Sequence, residues 1–232
     1  MTDKHVVLVT GTSSGLGEAT ADLLLKQNFC VIGIDRLSTK IQHAAYTHLE
    51  MDLAQFDAEL IQDELVGGGW FGFIHCAGIS RGGRLDTLSV EDWNLSLDVN
   101  VTSAMKICQL ADSHMMDGGR IVLVGSPVGI AGANKPSYAA SKAALHGLTM
   151  SVSRQLGKRG ICVNTVLPGP MITGMTGDWS DEKRDRIAQE TRLNRLARPE
   201  DIAHVMVQMM AEKWSYMSAS LVDLTCGSLY GH

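Results

Sequence analysis

One arrangement constrains this chain more than any other: an apolar strand runs into a glycine-rich turn, then a helix, then a second apolar strand ending in an acid. Residues 5–10 (His-Val-Val-Leu-Val-Thr) form a continuous apolar run, as expected of a strand covered on both faces. The turn is Gly11-Thr12-Ser13-Ser14-Gly15-Leu16-Gly17, and helical periodicity follows to about Asn28. Residues 30–35 repeat the apolar run and close on Asp35. Strand, short turn, helix, strand is the crossover unit that parallel pairing requires, so a doubly wound α/β sheet is predicted.

The turn has a chemical use. Glycines let a backbone approach phosphate closely, and the N–H groups and dipole of the following helix favour negative charge, so a pyrophosphate can lie there. The spacing is GxxxGxG and departs from the commoner GxGxxG fingerprint. Asp35 then stands where an acid accepts both ribose hydroxyls of an adenosine and repels a 2′-phosphate. NAD is therefore expected over NADP, while Arg36 offers a charge that could hold a 2′-phosphate. Gly11-Thr12-Ser13-Ser14-Gly15 also satisfies GxSxG, which would make Ser13 a hydrolase nucleophile. Residue 11 is too early for the strand and loop that supply an oxyanion hole, and this reading leaves Asp35 unexplained.

Further strands are predicted at 48–53, 70–77, 120–124, 161–167 and 221–224, with helices at 54–66, in two segments across 89–116 with Asn100 near their join, at 137–157, and from Pro199 at N1 to about 212. Gly67-Gly68-Gly69 reads as a loop. Asp52 ends the third strand near the adenine edge. Pro168-Gly169-Pro170 stops the sixth, and the charge-rich residues 171–198 read as a mobile flap of short helices. Met206, Met209 and Met210 are expected in the core or a subunit contact.

Tyr138 and Lys142 are four apart, on one helical face. A lysine charge about 5 Å from a phenol, at an effective dielectric near 20, is worth roughly 3 kcal/mol, or about two pKa units. That would bring the phenol near 8, where it exchanges protons at working pH. Gly125-Ser126 lies at the carboxyl end of the fifth strand, the edge where open parallel sheets bind ligands.

At 232 residues the chain suits one large α/β domain. A net charge of −5 argues against nucleic-acid binding. The five cysteines (30, 76, 108, 162, 226) are scattered and show no metal-ligand spacing, so no metal is expected; reduced, mostly buried thiols and a cytoplasmic protein are. The first apolar run is too short for a signal or membrane segment.

Taken together these residues resemble the short-chain dehydrogenase/reductase family along almost the whole chain. Thr10-Gly11-x-x-x-Gly15-x-Gly17 is similar to its cofactor loop, Cys76-Ala77-Gly78 to the end of its strand-four motif, and Asn100, Ser126, Tyr138 and Lys142 to its catalytic tetrad. Pro168, Gly169 and Thr173 match the segment that holds the nicotinamide end, and Arg198-Pro199-Glu200-Asp201-Ile202-Ala203 its late helix start. The resemblance implies a Rossmann-type sheet of seven strands, mostly parallel, in a single domain. It also implies hydride exchange between a nicotinamide and a secondary alcohol or ketone, with Tyr138 as general acid/base. Ser126 would bond the substrate oxygen, Lys142 would tune Tyr138 and bind the nicotinamide ribose, and Asn100 would hold a water linking Lys142 to solvent. Ser13, Ser14, Leu16, Arg36, Asp52, Leu53, Ala77 and Gly78 complete the expected cofactor contacts. A homotetramer or homodimer through the helices at about 100–116 and 137–157 is expected.

Three departures stand out. His75 and Cys76 replace the usual two asparagines, leaving His75 as either a ligand or a buried structural histidine. Thr225-Cys226-Gly227 replaces Asp-Gly-Gly, which touches subunit packing. The short link after Asp35 and Glu91-Asp92-Trp93 look somewhat like the 2,3-dihydro-2,3-dihydroxybenzoate dehydrogenases. Arg81 and Arg84 would favour an acidic substrate if they face the site. An NADP-dependent 3-oxoacyl-type reductase and a non-catalytic NAD sensor are the alternatives; a sensor would have no need of a tuned phenol.

Overall fold

The computed structural model describes residues 5–64 and 69–230. The apolar runs become parallel strands: β1 (Val6–Thr10), β2 (Cys30–Asp35), β3 (Tyr46–Glu50), β4 (Trp70–His75), β5 (Met115–Val124), β6 (Cys162–Pro168) and β7 (Ser220–Leu224). They form one sheet in the order β3-β2-β1-β4-β5-β6-β7, and every described pairing is parallel. Strand order reverses between β1 and β4, so their carboxyl ends diverge there and open the crevice typical of doubly wound sheets.

The helices are α1 (Gly15–Lys26), α2 (Ala58–Glu64), α3 (Val90–Leu97), α4 (Ser103–His114), α5 (Val128–Ala131), α6 (Pro136–Leu156), α7 (Asp181–Gln189) and α8 (Pro199–Gln208). Side chains alternate along each strand, and this splits the core in two. Leu8, Phe73, Ile121, Leu123 and Val163 pack with Ile61 of α2, Ile107 of α4 and Leu145 of α6. Val7, Val9, Ile74, Val122 and Val166 pack with Leu24 of α1 and Met206 of α8. Met206, Met209 and Met210 are all core residues of this second layer.

Several boundaries differ from the sequence expectation. β3 spans Tyr46–Glu50 and does not reach Leu53: the Asp52 carboxylate accepts the Ala54 N–H at 3.0 Å and starts a 3-10 turn that holds Leu53. β5 begins at Met115, pairing with Trp70 across an irregularity before the regular register from Gly72↔Arg120. β4 ends at His75, before Ala77, and α8 ends at Gln208, short of residue 212. α2 covers Ala58–Glu64; the expected extension to residue 66, and Gly67 and Gly68 of the expected loop, fall outside the described residues. Cys108 and Cys162 are buried, Cys30 and Cys76 are partly buried and Cys226 is exposed, so burial of the thiols is less general than expected. No described helix is long and apolar enough to cross a membrane.

Residues 171–198 hold a 3-10 turn (Gly174–Thr176) and α7, and the two ends of this flap are joined: Met171 bridges Ala197, and the Ala197 N–H donates to the Pro170 carbonyl at 2.9 Å. Asp201 anchors the exit, accepting from Arg195 at 2.7 Å and Arg198 at 3.1 Å.

Candidate functional site at the carboxyl edge of the sheet

The glycine turn is built by close backbone approach. Gly11 sits at φ +77°, donates to the Ile34 carbonyl at 2.8 Å, and has no room for a side chain, since a Cβ would stand 2.9 Å from the Ala77 nitrogen. Gly17 is tighter: its Cβ would meet the Gly11 carbonyl oxygen at 2.0 Å. A Cβ on Gly15, at φ +56°, would stand 3.5 Å from Thr173 Cγ2, so the flap begins directly over the turn. Ser14 caps α1 with its backbone only, leaving the first-turn N–H groups without a side-chain acceptor. This loop, with Leu16 buried behind it, fits an anionic dinucleotide.

Asp35 is held in place. Its two carboxylate oxygens accept the Ser13 and Leu37 N–H groups, each at 3.0 Å, while the Ser13 hydroxyl donates to the Leu37 carbonyl at 2.7 Å. The hydroxyl that a hydrolase would need as nucleophile is therefore bonded to a carbonyl rather than to a histidine. Beneath this seam lies a set of residues that the sequence reading missed. The Tyr46 hydroxyl is 3.0 Å from both Thr12 Oγ1 and His48 Nδ1, and His48 Nε2 donates to the same Leu37 carbonyl at 2.9 Å. The sequence did carry a signal for it: Gly33 interrupts an apolar strand, and a Cβ there would collide with the Tyr46 hydroxyl at 2.1 Å. Arg36 and Asp52 are exposed at this end.

The tetrad residues gather across the crevice. A π-helical turn, Asp98–Thr102, separates α3 from α4 and buries Asn100. The Asn100 amide donates to the Ile79 carbonyl (2.9 Å) and the Ser141 hydroxyl (2.9 Å) and accepts the Ile79 N–H (2.8 Å). Ser141 in turn donates to the Tyr138 carbonyl at 2.8 Å. Lys142 is buried and donates to the Val124 carbonyl at 2.7 Å; a Cβ on Gly78 would stand 3.3 Å from Lys142 Nζ. Ser126, just beyond β5, acts on the Tyr138 hydroxyl, and Lys142 Nζ lies 5.8 Å from the Tyr138 ring centre. On the far side Gly169 donates to the Leu224 carbonyl at 3.1 Å, and its Cβ would meet Thr225 Cα at 2.9 Å. Thr225, expected to concern subunit packing, thus backs the Pro168-Gly169 segment of the site.

The electrostatics correct the expectation for Tyr138. Burial raises its pKa, and the Ser126 hydrogen bond only partly offsets this. Lys142, which was expected to pull the phenol down, spends one N–H on Val124 and is itself lowered to about 8, mainly by burial. In the free protein the site therefore holds a protonated phenol beside an easily titrated lysine. Cys76 is no nucleophile, since burial pushes its thiol up to about 12.

His75 is wholly buried and hydrogen-bonded through Nδ1 to Thr10 Oγ1 at 2.9 Å. Burial, with the Lys142 charge adding to it, lowers its pKa from 6.5 to about 3. Below pH 6.5 the unfolded chain takes up a proton that the folded chain refuses, so this contribution to stability is complete above 6.5 and lost progressively towards pH 3. The full window corresponds to about 5 kcal/mol. Urea midpoints measured from pH 7 to 4 are expected to fall less steeply in His75→Asn than in the wild type; parallel curves would contradict this.

Comparison with known proteins agrees with the fold and the order of motifs. The family model for short chain dehydrogenases matches residues 5–184. The 3-oxoacyl-[acyl-carrier-protein] reductase FabG of Vibrio cholerae is 32% identical over 236 aligned residues, covering 96% of each chain. The (3R)-3-hydroxyacyl-CoA dehydrogenase of Rattus norvegicus is 30% identical, covering 96% of this chain and 95% of the other. Among solved structures, a short chain dehydrogenase family protein from Francisella tularensis superposes with a TM-score of 0.91 at 29% identity, covering 98% of this chain and 99% of that one. With this match across the sheet and the crevice, the chain belongs to the short-chain dehydrogenase/reductase family of nicotinamide-dependent oxidoreductases.

Proposed function

We propose that the protein interconverts a secondary alcohol and a ketone with NAD(H), using Tyr138 as general acid/base. The observation that carries this is that Tyr138 and Lys142, one turn apart on α6, meet the end of β5 where Ser126 follows Val124, with Lys142 Nζ 2.7 Å from the Val124 carbonyl and 5.8 Å from the Tyr138 ring centre, at the carboxyl edge that also holds the glycine turn and Asp35. The bound nicotinamide supplies the hydride acceptor in oxidation and the donor in reduction. In the oxidative direction the Tyr138 phenolate takes the hydroxyl proton as the carbinol C–H bond breaks. In reduction the phenol gives that proton to the oxygen of the former carbonyl. Ser126 donates a hydrogen bond to the same oxygen and fixes its distance from Tyr138. Lys142 has N–H groups beyond the one on Val124 for a ribose hydroxyl. Asn100 fixes the first turns of α6 through Ser141.

NAD is favoured because Asp35 is prearranged, with both oxygens braced by backbone N–H groups and lone pairs left for ribose hydroxyls. Asp35→Ser is expected to narrow the NADH over NADPH preference in Kd by tenfold or more, since a desolvated charge is removed from beside a 2′-phosphate. An unchanged ratio in that variant would sink the role of Asp35. A second reading, reduction of a 3-oxoacyl thioester with NADPH, is favoured by the relatives' names and by Arg36. Acetoacetyl thioesters assayed with each nucleotide separate the two. We also propose assembly as a dimer or tetramer through α4 and α6, whose outer side leaves Met150 exposed.

A further inference from the structure

Tyr46 and His48 are two apart on β3, so both side chains leave one face of the sheet, the face on which Tyr46 joins the core layer of α1 and α8. Gly33 of β2 pairs with His48 in the register, and its lack of a side chain lets the Tyr46 hydroxyl cross β2 to the turn after β1. There the hydroxyl stands 3.0 Å from Thr12 Oγ1 and 3.0 Å from His48 Nδ1. His48 Nε2 lies 2.9 Å from the Leu37 carbonyl. A carbonyl only accepts, so Nε2 carries a proton, and the ring is held at both nitrogens. Thr12, Tyr46, His48 and Leu37 thus form one chain of hydrogen bonds from the glycine turn, across β2, to the segment that follows Asp35.

Leu37 is where this chain acts. Its residue surface is 58% exposed, so packing does little to hold the segment, and hydrogen bonds to its main chain must. The Leu37 carbonyl accepts the Ser13 hydroxyl at 2.7 Å as well as His48 Nε2–H, and the Leu37 N–H donates to Asp35 Oδ1 at 3.0 Å. The Ser13 N–H donates to the other carboxylate oxygen, Oδ2, at 3.0 Å. We propose that Tyr46 and His48 are positioning residues that set the dinucleotide preference: by pinning the Leu37 carbonyl they keep the Leu37 N–H on Asp35, hold the carboxylate towards the ribose hydroxyls, and stop residues 36–38 from opening to admit a 2′-phosphate beside Arg36. This rests on the reading of Asp35 given above. Of the two donors to Leu37, Ser13 belongs to the turn itself, while His48 brings in the rigid third strand, and Tyr46 fixes the angle of its ring.

The test measures Kd for NADH and for NADPH, by energy transfer from the tryptophans, in wild type, His48→Leu, His48→Gln and Tyr46→Phe. His48→Leu keeps the bulk and removes the donor, and His48→Gln restores an N–H at the place of Nε2. His48→Leu is expected to lower the NADH over NADPH preference about threefold to tenfold, the range that one hydrogen bond carries, through weaker NADH and tighter NADPH binding. His48→Gln is expected to return the preference to within about twofold of wild type, and Tyr46→Phe to lie between wild type and His48→Leu. A wild-type ratio in His48→Leu would overturn the proposal, as would equal weakening of both nucleotides, which marks a structural role alone, or no recovery in His48→Gln. A wild-type ratio in Tyr46→Phe would overturn the part given to Tyr46. If His48→Leu fails to fold, 15N NMR of the wild-type imidazole decides together with Tyr46→Phe: a proton on Nε2 is expected, and an Nε2 without one would overturn the bond to Leu37. An unchanged ratio in Asp35→Ser would instead defeat the reading of Asp35, whatever His48 does.

Discussion

Tyr138→Phe is expected to reduce kcat by about 10²–10⁴, the range that general acid/base catalysis contributes, while dinucleotide affinity stays within a few fold. Only the hydroxyl is removed, and the ring keeps its place one turn from Lys142. The pH dependence gives the sign. Burial holds the phenol protonated in the free protein, so reduction has its proton donor ready at pH 7, and oxidation depends on the phenolate fraction. Oxidative kcat/KM should rise about tenfold per pH unit from neutrality until the phenol titrates. A flat oxidative profile from pH 6.5 upward, or near-normal turnover in Tyr138→Phe, would remove Tyr138 from the chemistry.

Gly17→Ala is expected to cost at least ~3 kcal/mol of stability and to abolish dinucleotide binding at concentrations that saturate the wild type. The added Cβ would stand 2.0 Å from the Gly11 oxygen and 2.5 Å from the Gly11 carbon, both backbone atoms of the turn, so no rotamer change can relieve it. The start of α1 would have to part from the turn whose N–H groups would receive a bound pyrophosphate. A fall in Tm of about 6–12 °C corresponds to that cost for a domain of this size. Gly157→Ala is the control: it has helical φ, a Cβ there meets nothing, and it should change stability by no more than about 1 kcal/mol, in the stabilising direction. Equal behaviour of the two variants would show that the turn is not close-packed as described.

The parts of the site that were legible in the sequence are those written in local spacing. The apolar runs at 5–10 and 30–35, the three glycines, Asp35, and the Tyr138–Lys142 pair on one helical face all follow from periodicity and turn chemistry, and each takes its expected place in the fold. What periodicity misses is contact across strands. Tyr46 and His48 lie on β3 and Thr12 in the turn after β1, and only the odd glycine at 33, on β2 between them, hinted that something passes there. β5 starts early because Met115 finds Trp70 of β4, although residues up to 116 read locally as helix. The pKa of Tyr138 was misjudged for a similar reason: charge proximity was readable from an i, i+4 spacing, but burial was not, and burial wins. Thr225 escaped because nothing local ties the end of β7 to Gly169.

Separate titration of the protein with NADH and NADPH, followed by energy transfer from its tryptophans, tests the central reading most directly. Tighter NADH binding, by about tenfold or more, is expected from the braced Asp35 carboxylate beside the glycine turn. Tighter NADPH binding would contradict the assignment of Asp35 and move the cofactor choice to Arg36, and binding of neither would contradict the dinucleotide site itself.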